Sequence, residues 1–405
     1  MDILCFSSSD WHGKWGSRQQ VMLRFARRGY RVFFIERPAG LEHLLRYPDI
    51  RQRKAHRWRE GLRSVADNLW IASLPPLLPG RYYSVTVNRI NQWLTARWAR
   101  RYLHKLEFTS PILWFYNPEQ GPLIGQFGER LSVYHCIDEF TASTTGRKRR
   151  TIAALEAGLL RRVDVVFANS LLTYENKRCF NPYTYRIPSG VDVEHFAQVL
   201  DPKLPPHPAI AAIPHPIAGY VGNINNKVDI PLLVAATAHL PDWQFVFIGR
   251  PYVEKADLRP LQAQPNVHLL GCFTFEKVPS LVKGMDVCLL PYADTEFARY
   301  RSPLKLYEYL AAGKPIVSTK HPEVREFSAW VEIASTPEDF AAAVVRVREE
   351  DSLEKRRCRA QLSRQHSWDH RVDEMEQIVI AHLEKRDTCE NEPTRSTRSS
   401  FSPHH

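Results

Sequence analysis

The chain of 405 residues, 44% hydrophobic and 11% aromatic, is too long for one ordinary domain and apolar enough to fill two sizeable cores. Its net charge of +11 is uneven: residues 1–110 hold 20 Lys and Arg against 8 Asp and Glu, a balance of +12 that leaves −1 for the rest. Seven cysteines without a C-x-x-C pair exclude a zinc or disulfide framework and read as buried, reduced thiols; no run of apolar residues is long enough for a membrane span, and the first residues lack the basic and apolar regions of a signal peptide, so the expected compartment is the cytosol.

A first apolar strand is expected over 2–7, followed by the polar loop WHGKWGSRQQ. Val21, Met22, Phe25 and Ala26 share one side of a helix over 17–28, which Gly29 can end. YRVFFIE is the next strand; ILWFY (112–116), LSVYH (131–135) and DVVFA (164–168) come later, and TYRIPSGVDVEHF (184–196) finishes this half. Six prolines within 198–216 then mark a linker. The alternation restarts with IAGYVG (217–222), FVFIG (245–249), VHLLG (267–271), DVCLLPY (286–292) and PIVS (315–318). Strands alternating with helices imply parallel sheet. The expected class is therefore α/β, two Rossmann-like doubly wound parallel-sheet domains facing across a cleft. Their bounds are 1–197 and 217–367, joined by the Pro-rich linker and followed by a helix over 368–386 and a disordered polar tail over 387–405. Ligands of such sheets collect at the carboxyl ends of the strands.

The stretch SPLKLYEYLAAGKPIVS (302–318) carries a compact set of signals. Ser302 can cap a helix, Pro303 fits its first position and Gly313 can end it. Lys305 and Glu308 then share one face. They form either a surface ion pair, in the order that the helix dipole disfavours, or part of an anion site at the helix N-terminus. In LSVYHCIDEF, His135 and Asp138 follow a strand end, where functional groups of open sheets collect; the plain alternatives are a satisfied, partly buried histidine and a helix cap. Gly13, Lys14, Gly16 and Arg18 of the first loop can wrap phosphates or an acceptor, although their spacing is not a dinucleotide signature. No Asp-x-Asp pair sits on a suitable strand end, so no metal and no cofactor are expected.

The excess positive charge has two centres. Residues 41–65 contain Arg51, Arg53, Lys54, Arg57, Arg59 and Arg63 around Trp58. Residues 89–106 fit a helix with Ile90, Trp93 and Leu94 on one stripe, extended in part by Trp98, Tyr102 and Leu106, and with Arg97, Arg100, Arg101 and Lys105 for charge. A basic helix bearing tryptophans reads either as a membrane-surface element or as a domain helix whose aromatic side packs inward. No recognised nucleic-acid module appears, so nucleic acid is not expected as a partner.

Four pieces in order, VFANS (166–170), IPSGVDVEHF (187–196), IAGYVGNINNK (217–227) and SPLKLYEYLAAGKPIVS, resemble the GT-B glycosyltransferases, in particular the large retaining family of cell-envelope and polysaccharide transferases. The layout is most similar to the teichuronic-acid type, whose first loop has a Trp followed by Ser-Arg-Gln. The resemblance implies a hexosyl-type transfer from a nucleotide-diphosphate sugar, with retention, to a polysaccharide or lipid-linked acceptor bound by the N-terminal domain; the missing Asp-x-Asp pair adds metal independence, and the charge asymmetry adds contact of residues 41–106 with the cytoplasmic face of a membrane. The resemblance also implies that Glu308 takes the ribose hydroxyls while Ser302, Pro303 and Lys305 border the diphosphate. Gly222, Asn223, Lys227, Gly249 and Arg250 would line the same donor site, and Asp138 and His135 would lie near the transferred sugar. Two positions depart from the family: Tyr300 stands where a second acid is common, and Asn223 where an arginine is usual. Those departures keep a non-catalytic nucleotide-binding protein open as a reading, and the architecture, which nucleotide-sugar 2-epimerases share, keeps an epimerase open as well.

Overall fold

The structure is a computed structural model that describes residues 1–12, 15–142, 144–252 and 255–391. Eight strands form the first sheet: β1 Asp2–Phe6, β2 Arg31–Glu36, β3 Arg63–Ala66, β4 Leu69–Ser73, β5 Ile112–Phe115, β6 Leu131–Cys136, β7 Val165–Ala168 and β8 Thr184–Arg186. Their order is β3-β4-β2-β1-β5-β6-β7-β8, and all pair in parallel except β3 with β4. The second sheet holds β9 Ile217–Val221, β10 Gln244–Ile248, β11 Val267–Gly271, β12 Val287–Leu290, β13 Ile316–Thr319 and β14 Val331–Ala334. It is wholly parallel, in the order β11-β10-β9-β12-β13-β14. Each sheet reverses its winding beside its first strand, between β1 and β5 and between β9 and β12, and such a switch point opens a crevice at the strands' carboxyl ends. The two doubly wound domains expected from the sequence are present.

Helices cover both faces of each sheet, which is why the central strands are continuous apolar runs rather than alternating ones. Four strands were not anticipated. β3 and β4 form a hairpin whose turn residue Asn68 has φ +59, a backbone state that Asn tolerates well. β8 and β14 are short edge strands, too brief for a periodicity signal. Residues 41–65 likewise fold into helices Leu41–Arg46 and Pro48–Glu60 before β3, and the helix expected over 89–106 begins earlier, as Val85–Lys105.

The proline-rich segment 198–216 is packed, not loose: Val199, Ile210 and Ile213 are buried in the core of the second domain. The terminal helix Trp368–Asn391 returns to the first domain, where Trp368, Val372, Met375, Val379 and Leu383, spaced by three and four, pack with Val21, Met22 and Phe25 of helix Ser17–Arg27. Arg24 reaches Asp369 at 2.9 Å, and Arg28 reaches Asp373 and Glu376 at 2.6 and 2.7 Å. This helix runs to Asn391, so residues 387–391 are not the disordered tail expected for them; residues 392–405 lie outside the described residues. The two chain crossings between the domains are hydrogen-bonded to each other, Val191 N donating to His366 O and Trp368 N to Val191 O. Gly190 is required there, because a Cβ would stand 2.8 Å from Trp368 Cα. Of the cysteines, Cys5, Cys136 and Cys288 are buried as expected, whereas Cys179 and Cys272 are exposed; no disulfide occurs among the described residues.

Candidate active site

On the second domain, two strand-end glycines hold the backbone open at the crevice. Gly222 and Gly249 have φ of +156 and +144, and Gly222 N donates to Ile248 O at 2.8 Å. A Cβ on Gly249 would meet Gly222 O at 2.0 Å, so no larger residue fits. The loop after Gly222 is clamped to its neighbours. Ile224 N donates to Arg250 O at 3.0 Å and Ala293 N donates to Lys227 O at 2.8 Å. Asn223, Lys227 and Arg250 therefore belong to one sheet edge. The exposed Arg250 guanidinium stands 5.7 Å from the Tyr252 ring.

Helix Leu304–Ala311 is bound to this edge through Tyr309, whose hydroxyl accepts from Val221 N at 2.8 Å. Gly313 (φ +67) ends it as expected, with Gly313 N donating to Leu310 O and Lys314 N to Tyr309 O, the paired bonds of a Schellman turn. The helix start differs from the expectation. Pro303 occupies the N-cap, and the Ser302 hydroxyl makes no capping bond; it accepts from Ser189 N at 3.0 Å and so joins the domains. Glu308 is only 4% exposed, and its Oε2 accepts from Lys305 Nζ at 2.5 Å. The ion pair exists, but it is set into the wall of the cleft and is not a surface pair.

Facing it, the first domain presents a cluster that the sequence showed only in part. Gly16 N donates to the Gln19 side chain at the start of helix Ser17–Arg27, and this turn sends Arg18 inward. Arg18 lies 5.8 Å from the Tyr116 ring centre and 3.7 Å from Asp138, and burial pulls its pKa down. Arg301, immediately before the Glu308 helix, reaches the other Asp138 oxygen at 3.0 Å. Asp138 thus bridges the cleft between two guanidinium groups. His135 is closed into rings of Trp114, Tyr116 and Phe167, and burial, with a smaller contribution from Arg18, lowers its pKa to about 3. It is a neutral wall residue. Among the described residues the buried Arg18 Nε, Tyr116 Oη, His135 Nδ1 and Asn169 Oδ1 have no hydrogen-bond partner, an unusual concentration of unmet polar atoms at one set of strand ends. Gly13 and Lys14 lie outside the described residues.

Arg301, Tyr116 and Asn169 are the site residues that sequence reasoning missed. Arg301 had an available signal, a cation adjoining the N-terminus of a helix already singled out; Tyr116 and Asn169 directly follow strands β5 and β7, within ILWFY and VFANS, and nothing in those runs sets them apart. Three of the basic residues over 41–65 are spent inside the domain, while Arg51, Arg53 and Arg59 stay exposed: Lys54 and Arg57 bind Asp10 at 2.6 Å, and Arg63 binds the fully buried Glu36 at 3.1 Å. Glu36 also accepts from Trp11 N at 2.9 Å, which fixes the first loop beside the cleft.

With this geometry in place, the comparisons agree. The chain is a glycosyltransferase of the GT-B fold, and residues 215–350 match the family model for glycosyl transferases group 1. A Bacillus subtilis protein named as a teichuronic acid biosynthesis glycosyltransferase, TuaH, is 26% identical over 277 residues, covering 63% of this chain and 68% of that protein. Among solved structures, sucrose-phosphate synthase from Thermosynechococcus elongatus superposes with TM-score 0.68 at 17% identity, over 95% of this chain and 99% of its own. HepE from Anabaena, in complex with UDP, gives 0.65 at 14% identity, over 94% and 100%.

Proposed function

We propose that this enzyme moves a hexosyl group from a nucleotide-diphosphate sugar to a saccharide or lipid-linked acceptor, with retention of configuration and without a metal ion, at the cytoplasmic face of a membrane. The observation that carries the reading is the buried Glu308 carboxylate paired with the half-buried Lys305 beside the N-terminus of helix Leu304–Ala311, next to the glycine-held strand ends. A buried carboxylate can accept from both ribose hydroxyls, and Lys305 with the helix N-terminus supplies positive potential for the diphosphate. The HepE structure was solved in complex with UDP, which supports a nucleotide as a ligand of a protein with this fold.

As the bond from the anomeric carbon to phosphate oxygen breaks, its electron pair leaves with the nucleoside diphosphate. Lys305, Lys227 and the helix N–H groups stabilise that growing charge. The acceptor oxygen bonds to the anomeric carbon on the same face and its proton passes to the departing phosphate. Asp138 is not offered as the base, because its two oxygens already face Arg18 and Arg301; it holds those cations at the cleft.

The test is calorimetric binding of UDP, GDP and ADP in EDTA. One nucleotide is expected to bind, and Glu308→Ala to weaken it about tenfold or more, which is about 1.4 kcal/mol. Binding that ignores the substitution, or requires a divalent ion, sinks the reading. Product formation that needs no acceptor would identify epimerisation instead.

A further inference from the structure

The first half of helix Val85–Lys105 is built inside out. The residues it turns inward are polar: Asn88, Asn91, Gln92 and Thr95 are buried and hydrogen-bonded, Asn88 donating to Glu119 O at 2.9 Å and Thr95 to Asn91 O at 2.9 Å. The residues it turns to solvent are apolar, with Ile90 45%, Trp93 58% and Leu94 39% exposed. Only the second half obeys the usual pattern, Trp98 and Tyr102 packing on Phe33. Positions 90, 93 and 94 form one stripe, which the exposed Arg97 and Arg101 continue.

The stripe belongs to a wider rim. Leu78 and Tyr83 of the preceding loop are exposed, as is Leu45 (79%) on helix Leu41–Arg46. Asn91 exchanges hydrogen bonds with Leu78 N and O at 2.8 and 3.0 Å, and Leu41 N donates to Leu77 O, so these pieces form one continuous surface. It is built from the segments that leave the carboxyl ends of β2 and β4, the same sheet edge as the cleft. No Asp or Glu occurs between residues 68 and 106, whereas Arg89, Arg97, Arg101 and Lys105 are all exposed.

Glu42 on helix Leu41–Arg46 is an exposed acid at the edge of this rim, but around the stripe of helix Val85–Lys105 there are only cations, and apolar side chains in that setting complement the interface of an anionic bilayer. We infer that this rim is a lipid-docking face, which seats the first domain on an anionic membrane with the cleft beside the headgroups. A lipid-borne acceptor then reaches the cleft from the membrane side. That last consequence rests on the proposed function, but the docking itself does not.

Flotation of the full chain with phosphatidylcholine vesicles, with and without phosphatidylglycerol, tests it. Anionic vesicles are expected to carry the protein and neutral ones far less. Ile90→Ser combined with Trp93→Ser should lower partitioning by more than about tenfold. Arg97→Gln combined with Arg101→Gln should do so by about tenfold or more on anionic vesicles alone. Both double variants should bind nucleotide as the wild type does, showing that they are folded. No flotation of the wild type, unchanged flotation of the variants, or a wild-type dimer that the Ile90/Trp93 variant dissolves would each overturn the inference. Flotation without any nucleotide binding would support docking and remove the transfer reading.

Discussion

Asp138 and His135 are three residues apart, yet the fold gives them opposite surroundings. Asp138 leaves the end of β6 into the cleft between two arginines, and His135 stays within the sheet among aromatic rings. Sequence spacing could nominate both but could not separate them, because burial depends on strands far away in the chain. The difference has a measurable consequence. The folded pKa of His135, about 3, lies below its ordinary 6.5. Between those values the unfolded chain holds a proton that the folded chain does not, so stability is full above about pH 6.5 and falls as pH drops. The slope is up to about 1.4 kcal/mol per pH unit. His135→Phe is expected to remove about 2 kcal/mol of the loss seen between about pH 7 and about pH 5, measured by urea unfolding. The buried His321 and the half-buried His366 shift in the same direction and remain in both proteins, so the comparison isolates one group. An unchanged pH dependence would show that His135 takes up its proton without penalty.

At the level of elements, strands with long apolar runs were legible, and so was the helix that ends at Gly313. The exceptions share a cause. β3, β4, β8 and β14 are stabilised by their neighbours in the sheet more than by their own pattern, and helix Val85–Lys105 carries an inverted face that periodicity alone leaves between surface and inward packing. The glycine-held crossing of β9 and β10 was legible as two strand-end glycines, but their contact with each other was not. Gly249→Ala is expected to force the Gly222 carbonyl aside. Nucleotide affinity should fall about tenfold or more, with a stability loss of about 1–3 kcal/mol. Calorimetry and thermal melting check this together; affinity kept at the wild-type value would show that the loop after Gly222 does not meet the nucleotide.

For the molecule as a whole, the two-domain plan could be read from the alternation on either side of the proline-rich segment, whereas the return of the last helix could not. Nothing in the local composition of residues 368–391 says which of two cores its apolar stripe will join. The structure assigns it to the first, with Trp368, Val372, Met375, Val379 and Leu383 beside Phe25 and Trp114. Residues 1–197 expressed alone should therefore expose an apolar face, bind a hydrophobic dye and aggregate. A peptide spanning 367–391 added during refolding should reduce both effects. A soluble, cooperatively melting 1–197 fragment would show that the helix is dispensable to that core.

The returning helix also bears on the order in which the protein can be made. Synthesis runs from the N-terminus, and domains generally fold as units during it. Here the first domain to emerge must wait, one face uncovered, while the linker, the whole second domain and most of the final helix are translated. The second domain, complete by about residue 363, can be finished first. Of the two domains, the one that emerges earlier is the one whose core closes later.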